Sequence, residues 1–177
     1  MTSPIDAGAV LITGASSGIG KCIAELVAPR ARVLVLVARR KDRLDELAQE
    51  LGRKHPGLTV ATFGCDIADR AALDALVAGV SREVGAIDVL VNNAGLGDMG
   101  VFDRSKLEKQ LFMIDVNVAA LVRLTHAFLP GMVERRKGAV LNVSSGFGLA
   151  FLPGFSCYVG TKHFVTGFTE SLHAELA

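Results

Sequence analysis

The chain has 177 residues, half of them hydrophobic, with 19 Lys and Arg against 18 Asp and Glu for a formal net charge of +1. That length suits a single domain over residues 1–177 with a sizeable core, and the near-zero balance supplies no basic field for nucleic acid. No apolar run approaches the roughly 20 residues needed to span a bilayer, and the N-terminus lacks the basic start and apolar stretch of a signal peptide, so neither a membrane span nor secretion is expected.

The first element is Ala9-Val10-Leu11-Ile12-Thr13, a run too short for a helix and suited to a buried parallel strand. It runs into Gly14-Ala15-Ser16-Ser17-Gly18-Ile19-Gly20, after which Ile19, Ile23, Leu26 and Val27 recur at helical spacing. A strand, a tight glycine turn and a helix N-terminus together make an anion site, because the free amides of the first helical turn point at the bound group. The spacing Gly-x-x-x-Gly-x-Gly departs from the Gly-x-Gly-x-x-Gly fingerprint of dinucleotide folds, so this motif alone decides nothing.

Further strands are predicted at 32–38, 58–63, 87–91 and 139–144, alternating with helices at 18–29, 41–53, 69–83, 106–135 and 158–176. Five strand-helix units in this order define an α/β fold, a Rossmann-like doubly wound parallel sheet with helices on both faces. Ligands of such sheets collect beyond the carboxyl ends of the strands. The glycine turn, Arg39, Asp66, Asn92-Asn93-Ala94-Gly95 and Ser145 all follow strand ends and so share one rim. The basic cluster Arg135-Arg136-Lys137 falls where a long helix ends, which the helix dipole explains. Cys22, Cys65 and Cys157 are odd in number and scattered, which indicates neither a disulfide framework nor zinc. The expectation is a cytoplasmic protein with reduced thiols. His55, His126, His163 and His173 share no metal-ligand spacing, and no metal is expected.

Taken in order, Thr13 to Gly20, Asn92-Asn93-Ala94-Gly95, Asn117, Ser145 and Tyr158-x-x-x-Lys162 resemble the short-chain dehydrogenase/reductase family, and the resemblance covers essentially the whole chain. Tyr158 is the only tyrosine present. A free phenol ionises near pH ~10, too high for ready exchange near neutrality, and an ammonium one turn along the same helix face favours the phenolate. The resemblance makes Tyr158 the general acid in ketone reduction and general base in alcohol oxidation, with Lys162 also holding the nicotinamide ribose. It makes Ser145, thirteen residues before Tyr158, the hydrogen-bond partner of the substrate oxygen, and leaves Ser144 to structure. Asn117 resembles the asparagine that holds a water linking the lysine to solvent; a backbone-bonding role for the same side chain can coexist with that.

Cofactor choice turns on the end of the second strand. An acidic residue there binds both ribose hydroxyls of NAD, whereas arginine accommodates the phosphate of NADP. Here Ala38 stands in the acidic position and Arg39-Arg40 follow, so NADP(H) is expected over NAD(H), with Arg39 the main phosphate ligand and Arg40 a lesser one. The resemblance further implies that Gly14, Ser16, Ser17, Gly18, Ile19 and Gly20 hold the pyrophosphate. It also implies that Asp66 and Ile67 meet the adenine, and that Asn93, Ala94 and Gly95 pass beneath the adenosine ribose. Asp88 and Asn92 are expected to support the sheet.

The loop 146–155 is apolar and adjoins the chemistry, which favours a hydrophobic carbonyl or alcohol substrate, although Phe147, Phe151 and Phe155 fit ordinary packing equally well. Helices 106–135 and 158–176 are apolar on more than one flank, including Val118, Leu121, Val122, Leu124 and Phe128, and in the family they pack against a symmetry mate, so a homodimer or homotetramer is expected. Family members continue through two more strands and a substrate loop, which suggests that the chain is truncated at its C-terminus. The main reading is an NADP-linked oxidoreductase; the alternative is a cofactor-binding, catalytically silent module lacking its substrate lid. An epimerase or dehydratase of the related extended type is disfavoured by the turn spacing.

Overall fold

The computed structural model describes residues 3–176. Five parallel strands form one sheet in the order β3-β2-β1-β4-β5: β1 Ala9–Thr13, β2 Val33–Ala38, β3 Thr59–Gly64, β4 Val89–Asn92 and β5 Ala139–Asn142. The order runs outward in both directions from β1, so a crevice opens beyond the carboxyl ends of β1 and β4, where neighbouring connections diverge to opposite faces. All five residues of β1 are buried, since helices cover both of its faces. Alternation along the strand sorts them: Val10 and Ile12 join Leu34, Leu36, Leu44 and Leu51 in one core layer, while Ala9 and Leu11 join Val35, Leu73, Leu90 and Leu124 in the other.

The helices are α1 Gly18–Val27, α2 Lys41–Lys54, α3 Arg70–Glu83, α4 Leu107–Ile114, α5 Ala120–Glu134 and α6 Ser156–Leu176. Amphipathic spacing explains α2, whose Leu44, Leu47 and Leu51 face the sheet while charged residues face water. Asp69 caps α3 by accepting from the amides of Ala71 and Ala72. The expected single helix 106–135 is not uniform. Asp115–Ala119 form a π-helical turn between α4 and α5, and Asn117 lies within it.

Two expectations need correction here. The continuous helical segment Leu107–Glu134 spans 28 residues with a mean hydropathy of 1.4 over its most apolar stretch, long and apolar enough to cross a membrane by length and composition. Its packing gives a different account of that character, because Ala120, Leu124, Phe128 and Met132 are buried in the core layer on β1 and β4. The same packing removes Leu121, Leu124 and Phe128 from any outward flank, for each is buried within this one chain. The large apolar residues that α4 and α6 leave exposed are Leu107, Leu111, Ile114, Phe164 and Leu176, with Phe164 stacked on Phe168.

Candidate active site

Thr13, at the end of β1, ties the two central strands together. Its Oγ1 donates to the Val91 carbonyl at 3.3 Å and accepts from the amides of Asn93 and Ala94 at 3.1 and 3.0 Å. Asn93 returns the link, with Nδ2 donating to the Thr13 carbonyl at 2.9 Å. Gly14 takes a left-handed φ of +68°, and a Cβ there would stand 2.8 Å from Asn93 Nδ2. At Gly20 a Cβ would meet the Gly14 carbonyl oxygen at 2.4 Å, so this glycine lets α1 press onto the turn. Gly18 also has positive φ, but nothing lies within 4 Å of its notional Cβ. No side chain caps α1. Its first-turn amides therefore remain as donors for an anion, with the helix dipole behind them.

A cavity of about 560 Å³ opens beside this turn. Gly14, Ser16, Ser17, Ile19, Arg39, Arg40, Asp66, Ile67, Asn93, Ala94 and Gly95 all line it, which brings most of the cofactor residues expected from sequence to one groove. Gly18 and Gly20 are not among its lining residues, and neither are Tyr158 and Lys162, which lie further along. Arg40 donates to the hydroxyls of Ser16 and Ser17 at 3.3 and 3.0 Å, binding the end of β2 to the glycine turn. The Arg39 guanidinium sits 6.0 Å from the centre of the Phe112 ring. Phe112 and Val116 form a wall that sequence reasoning missed, because residues on the face of a long apolar helix read as core. Cys65 was also missed; burial, reinforced by the carboxylates of Asp66 and Asp69, pushes its thiol up to about 11.

Lys162 and Tyr158 do share one face of α6, one turn apart. The Lys162 Nζ is 5.9 Å from the Tyr158 ring centre and donates to the Val143 carbonyl at 2.9 Å, just past the end of β5. Lys162 is only 6% exposed, and that desolvation lowers its pKa from the ordinary value. Asn117 is also buried. It accepts from the Leu96 amide at 2.9 Å and donates to the Leu96 carbonyl at 2.8 Å and to Thr161 Oγ1 at 3.0 Å. The backbone-bonding role is therefore present. A Cβ on Gly95 would lie 3.3 Å from Asn117 Oδ1 and 3.5 Å from Lys162 Nζ, so these polar atoms converge on one glycine.

The two serines make different contacts. Ser144 Oγ bonds the Lys162 carbonyl at 3.1 Å and Thr166 Oγ1 at 2.9 Å, a structural tie between β5 and α6. Ser145 Oγ accepts from the Phe147 amide at 3.3 Å, which leaves its own proton available to another acceptor. Phe147 and Phe155 stack at 5.2 Å and both neighbour Tyr158, at 6.0 and 6.5 Å between ring centres. Phe151 joins neither, standing 88% exposed. Asp88 and Asn92 support the sheet as expected: Asp88 accepts from the Ala9 amide, and Asn92 donates to Thr125 and Asn142.

A glycine turn feeding a helix N-terminus at the centre of a 3-2-1-4-5 parallel sheet defines a doubly wound, Rossmann-like α/β protein. The family described as short chain dehydrogenase matches residues 8–177, and the chain belongs to it. It is similar to the NADP-dependent 3-hydroxy acid dehydrogenase YdfG of Shigella flexneri, with 39% identity over 168 residues, 94% of this chain and 66% of that protein. It also resembles a short-chain dehydrogenase from Sphingobium yanoikuyae solved with NADPH, at a TM-score of 0.89 and 40% identity over 96% of this chain and 66% of that one. L-sorbose reductase from Gluconobacter frateurii, solved with NADPH and L-sorbose, superposes with a TM-score of 0.90 at 37% identity over 99% and 66% of the two chains. The chain spans about two thirds of the length of such relatives.

Proposed function

We propose that residues 1–177 form one dinucleotide-binding domain of an NADP(H)-dependent oxidoreductase that interconverts a carbonyl compound and an alcohol, with a hydrophobic substrate and Tyr158 as general acid/base. The observation that carries this reading is the placement of Lys162 beneath Tyr158, on the same rim as a groove already lined by the glycine turn and two arginines. The groove suits a dinucleotide phosphate. Gly14 and Gly20 occupy positions that a Cβ would fill, α1 presents uncapped amides, and Arg39 and Arg40 stand where a ribose phosphate would reach them, Arg39 as the main ligand and Arg40 in support. When bound, NADP(H) supplies or takes up the hydride.

The chain's own residues handle the proton and the developing charge. Ser145, with one lone pair engaged by the Phe147 amide, donates its proton to the substrate oxygen and holds it within reach of the Tyr158 hydroxyl. Tyr158 then delivers its proton to that oxygen in reduction, or removes it in oxidation. The Lys162 ammonium, anchored by the Val143 carbonyl, stands beside the ring that gives up this proton. Asn117 fixes the Leu96 backbone and Thr161 around it, and can hold a water that passes a proton from Lys162 to solvent. Phe147 and Phe155 supply an apolar wall beside Tyr158, which supports a hydrophobic substrate over a highly charged one. The outer flanks of α4 and α6, with Leu107, Leu111 and Phe164 exposed, fit a homodimer or homotetramer; light scattering showing only monomer would count against this. A cytoplasmic location accords with three free thiols.

The test is oxidation of NADPH and NADH by the full-length protein across aliphatic, aromatic and charged ketones. The reading expects turnover with NADPH, greatest on apolar ketones. Firm NADPH binding with no turnover on any of them would favour the catalytically silent module instead.

A further inference from the structure

Asp98 and Gln110 have no part in the roles described so far, yet together they tie α4 to Gly97 and Cys157, two neighbours of Tyr158. The Asp98 carboxylate accepts from Lys109 Nζ through one oxygen and from Gln110 Nε2, at 3.0 Å, through the other. Both donors lie in the first turn of α4. Gln110 is a buried polar side chain, 7% exposed, and its backbone carbonyl accepts from Cys157 Sγ at 3.7 Å, the residue immediately before Tyr158. Between Asp98 and Leu96 lies Gly97. A Cβ at Gly97 would stand 3.4 Å from Cδ2 and Cε2 of Tyr158, so the backbone there lies close against the phenol ring.

The segment 96–98 is therefore held at each end by a side chain from the α4–α5 region, Leu96 by Asn117 and Asp98 by its α4 partners. We propose that Asp98 is a positioning residue for proton transfer at Tyr158: by clamping this loop to α4 it fixes the Gly97 backbone as a wall against the phenol ring. The inference rests on the assignment of Tyr158 as proton donor. With Asp98 removed, the segment keeps its Leu96 anchor but loses its tie to α4, and the ring loses a fixed neighbour, which leaves Lys162, Phe147 and Phe155 around it. A displacement of about 1 Å at a reacting group can cost on the order of 100-fold in rate. The Lys109 hydrogen bond holds the Asp98 carboxyl below the usual carboxylate range, so the clamp stays charged throughout the neutral range.

The experiment compares Asp98→Ala, Asp98→Asn, Lys109→Met combined with Gln110→Met, and Tyr158→Phe in the full-length protein, measuring NADPH affinity, kcat and KM on the best ketone found. For Asp98→Ala the expected result is a fall in kcat of about 10- to 100-fold with NADPH affinity within about 2-fold of wild type, because the groove is untouched. Asp98→Asn retains one acceptor for the two α4 donors and should recover part of that loss. A kcat that falls in parallel with cofactor affinity, or is not rescued by asparagine, overturns the clamp in favour of a general structural role. Should Asp98→Ala fail to fold, Lys109→Met combined with Gln110→Met removes both donors to the carboxylate, and an unchanged kcat in that double variant overturns the proposal. Lost turnover in Tyr158→Phe with normal kcat in Asp98→Ala defeats the clamp alone, whereas full turnover in Tyr158→Phe defeats the proton-donor reading and the clamp with it.

Discussion

Around the β1–β2 end of the cleft, polar side chains bond one another across strand ends, and Gly14 and Gly20 leave no room for a Cβ. Around Tyr158, Asn117, Ser144 and Lys162 are as firmly bonded, but the loops beside them carry exposed apolar side chains. Thr13 and Asn93 tie the end of β1 to the end of β4, and Arg40 ties the start of α2 to Ser16 and Ser17 before α1. The loops 96–105 and 146–155 are joined by a single backbone bond, from the Gly100 amide to the Gly154 carbonyl. Met99, Val101, Leu149 and Phe151 project from them, each more than half exposed. One end is thus built to hold a fixed shape, and the other can change its side chains without disturbing it. A single scaffold can in this way keep one cofactor while its substrate wall varies.

The largest predicted contrast sets Gly20→Ala against Gly97→Ala. The first forces a Cβ to within 2.4 Å of the Gly14 carbonyl oxygen and should abolish measurable NADPH binding while lowering the melting temperature by several degrees, given overpacking costs of about 1–3 kcal/mol. The second places a Cβ at an ordinary 3.4 Å from the tyrosine ring and should leave melting within about 2 °C of wild type. Equal melting temperatures for the two variants would erase the distinction between the two ends.

Next in size is cofactor choice. Loss of a charge-assisted hydrogen bond costs about 1.5–3 kcal/mol, so Arg39→Ala should weaken NADPH binding by roughly 10- to 100-fold, Arg40→Ala by less, and neither should change NADH affinity by more than about 2-fold. Titrations in which both cofactors weaken alike would remove the phosphate role.

Lys162→Met separates stability from chemistry. Burial lowers the Lys162 pKa below its ordinary 10.5, so the unfolded chain binds the proton more readily than the folded one. The cost is fully present below the folded-state pKa and disappears as pH rises toward 10.5. The methionine variant should accordingly lose turnover yet melt no lower than wild type near neutrality, with any advantage shrinking in alkaline buffer. A large drop in its melting temperature would mean that the bond to Val143 outweighs the desolvation. The smallest effect concerns thiols: exposed Cys22 should alkylate first near neutral pH, whereas Cys65, pushed up to about 11, and Cys157, raised by burial, should lag. Mass spectrometry of partially labelled protein checks the order.

The strand-helix alternation was legible because each strand is a compact apolar run, and the observed strand boundaries lie within two residues of those read from sequence. The groove was legible because glycine, arginine and aspartate are distinctive at strand ends. Phe112 and Val116 were not, since an apolar residue on a helix facing a ligand groove has the same pattern as one facing a core. The π turn at Asp115–Ala119 was also hidden; one widened turn leaves the apolar periodicity on either side intact, and only the bonds from Asn117 to Leu96 reveal what it positions. The apolar flank of α5 was visible but misassigned, because periodicity reports that Leu121, Leu124 and Phe128 are buried without saying against what. The clamp from Asp98 to Gln110 joins residues of ordinary type and carries no sequence signal at all.

The central claim is that a buried lysine one turn away makes Tyr158 the proton donor beside the cofactor groove. Its most direct test is Tyr158→Phe, with NADPH affinity and single-turnover reduction measured on the same preparation. The account predicts affinity within about 3-fold of wild type and reduction slowed by at least about 100-fold; reduction within a few-fold of wild type would contradict it.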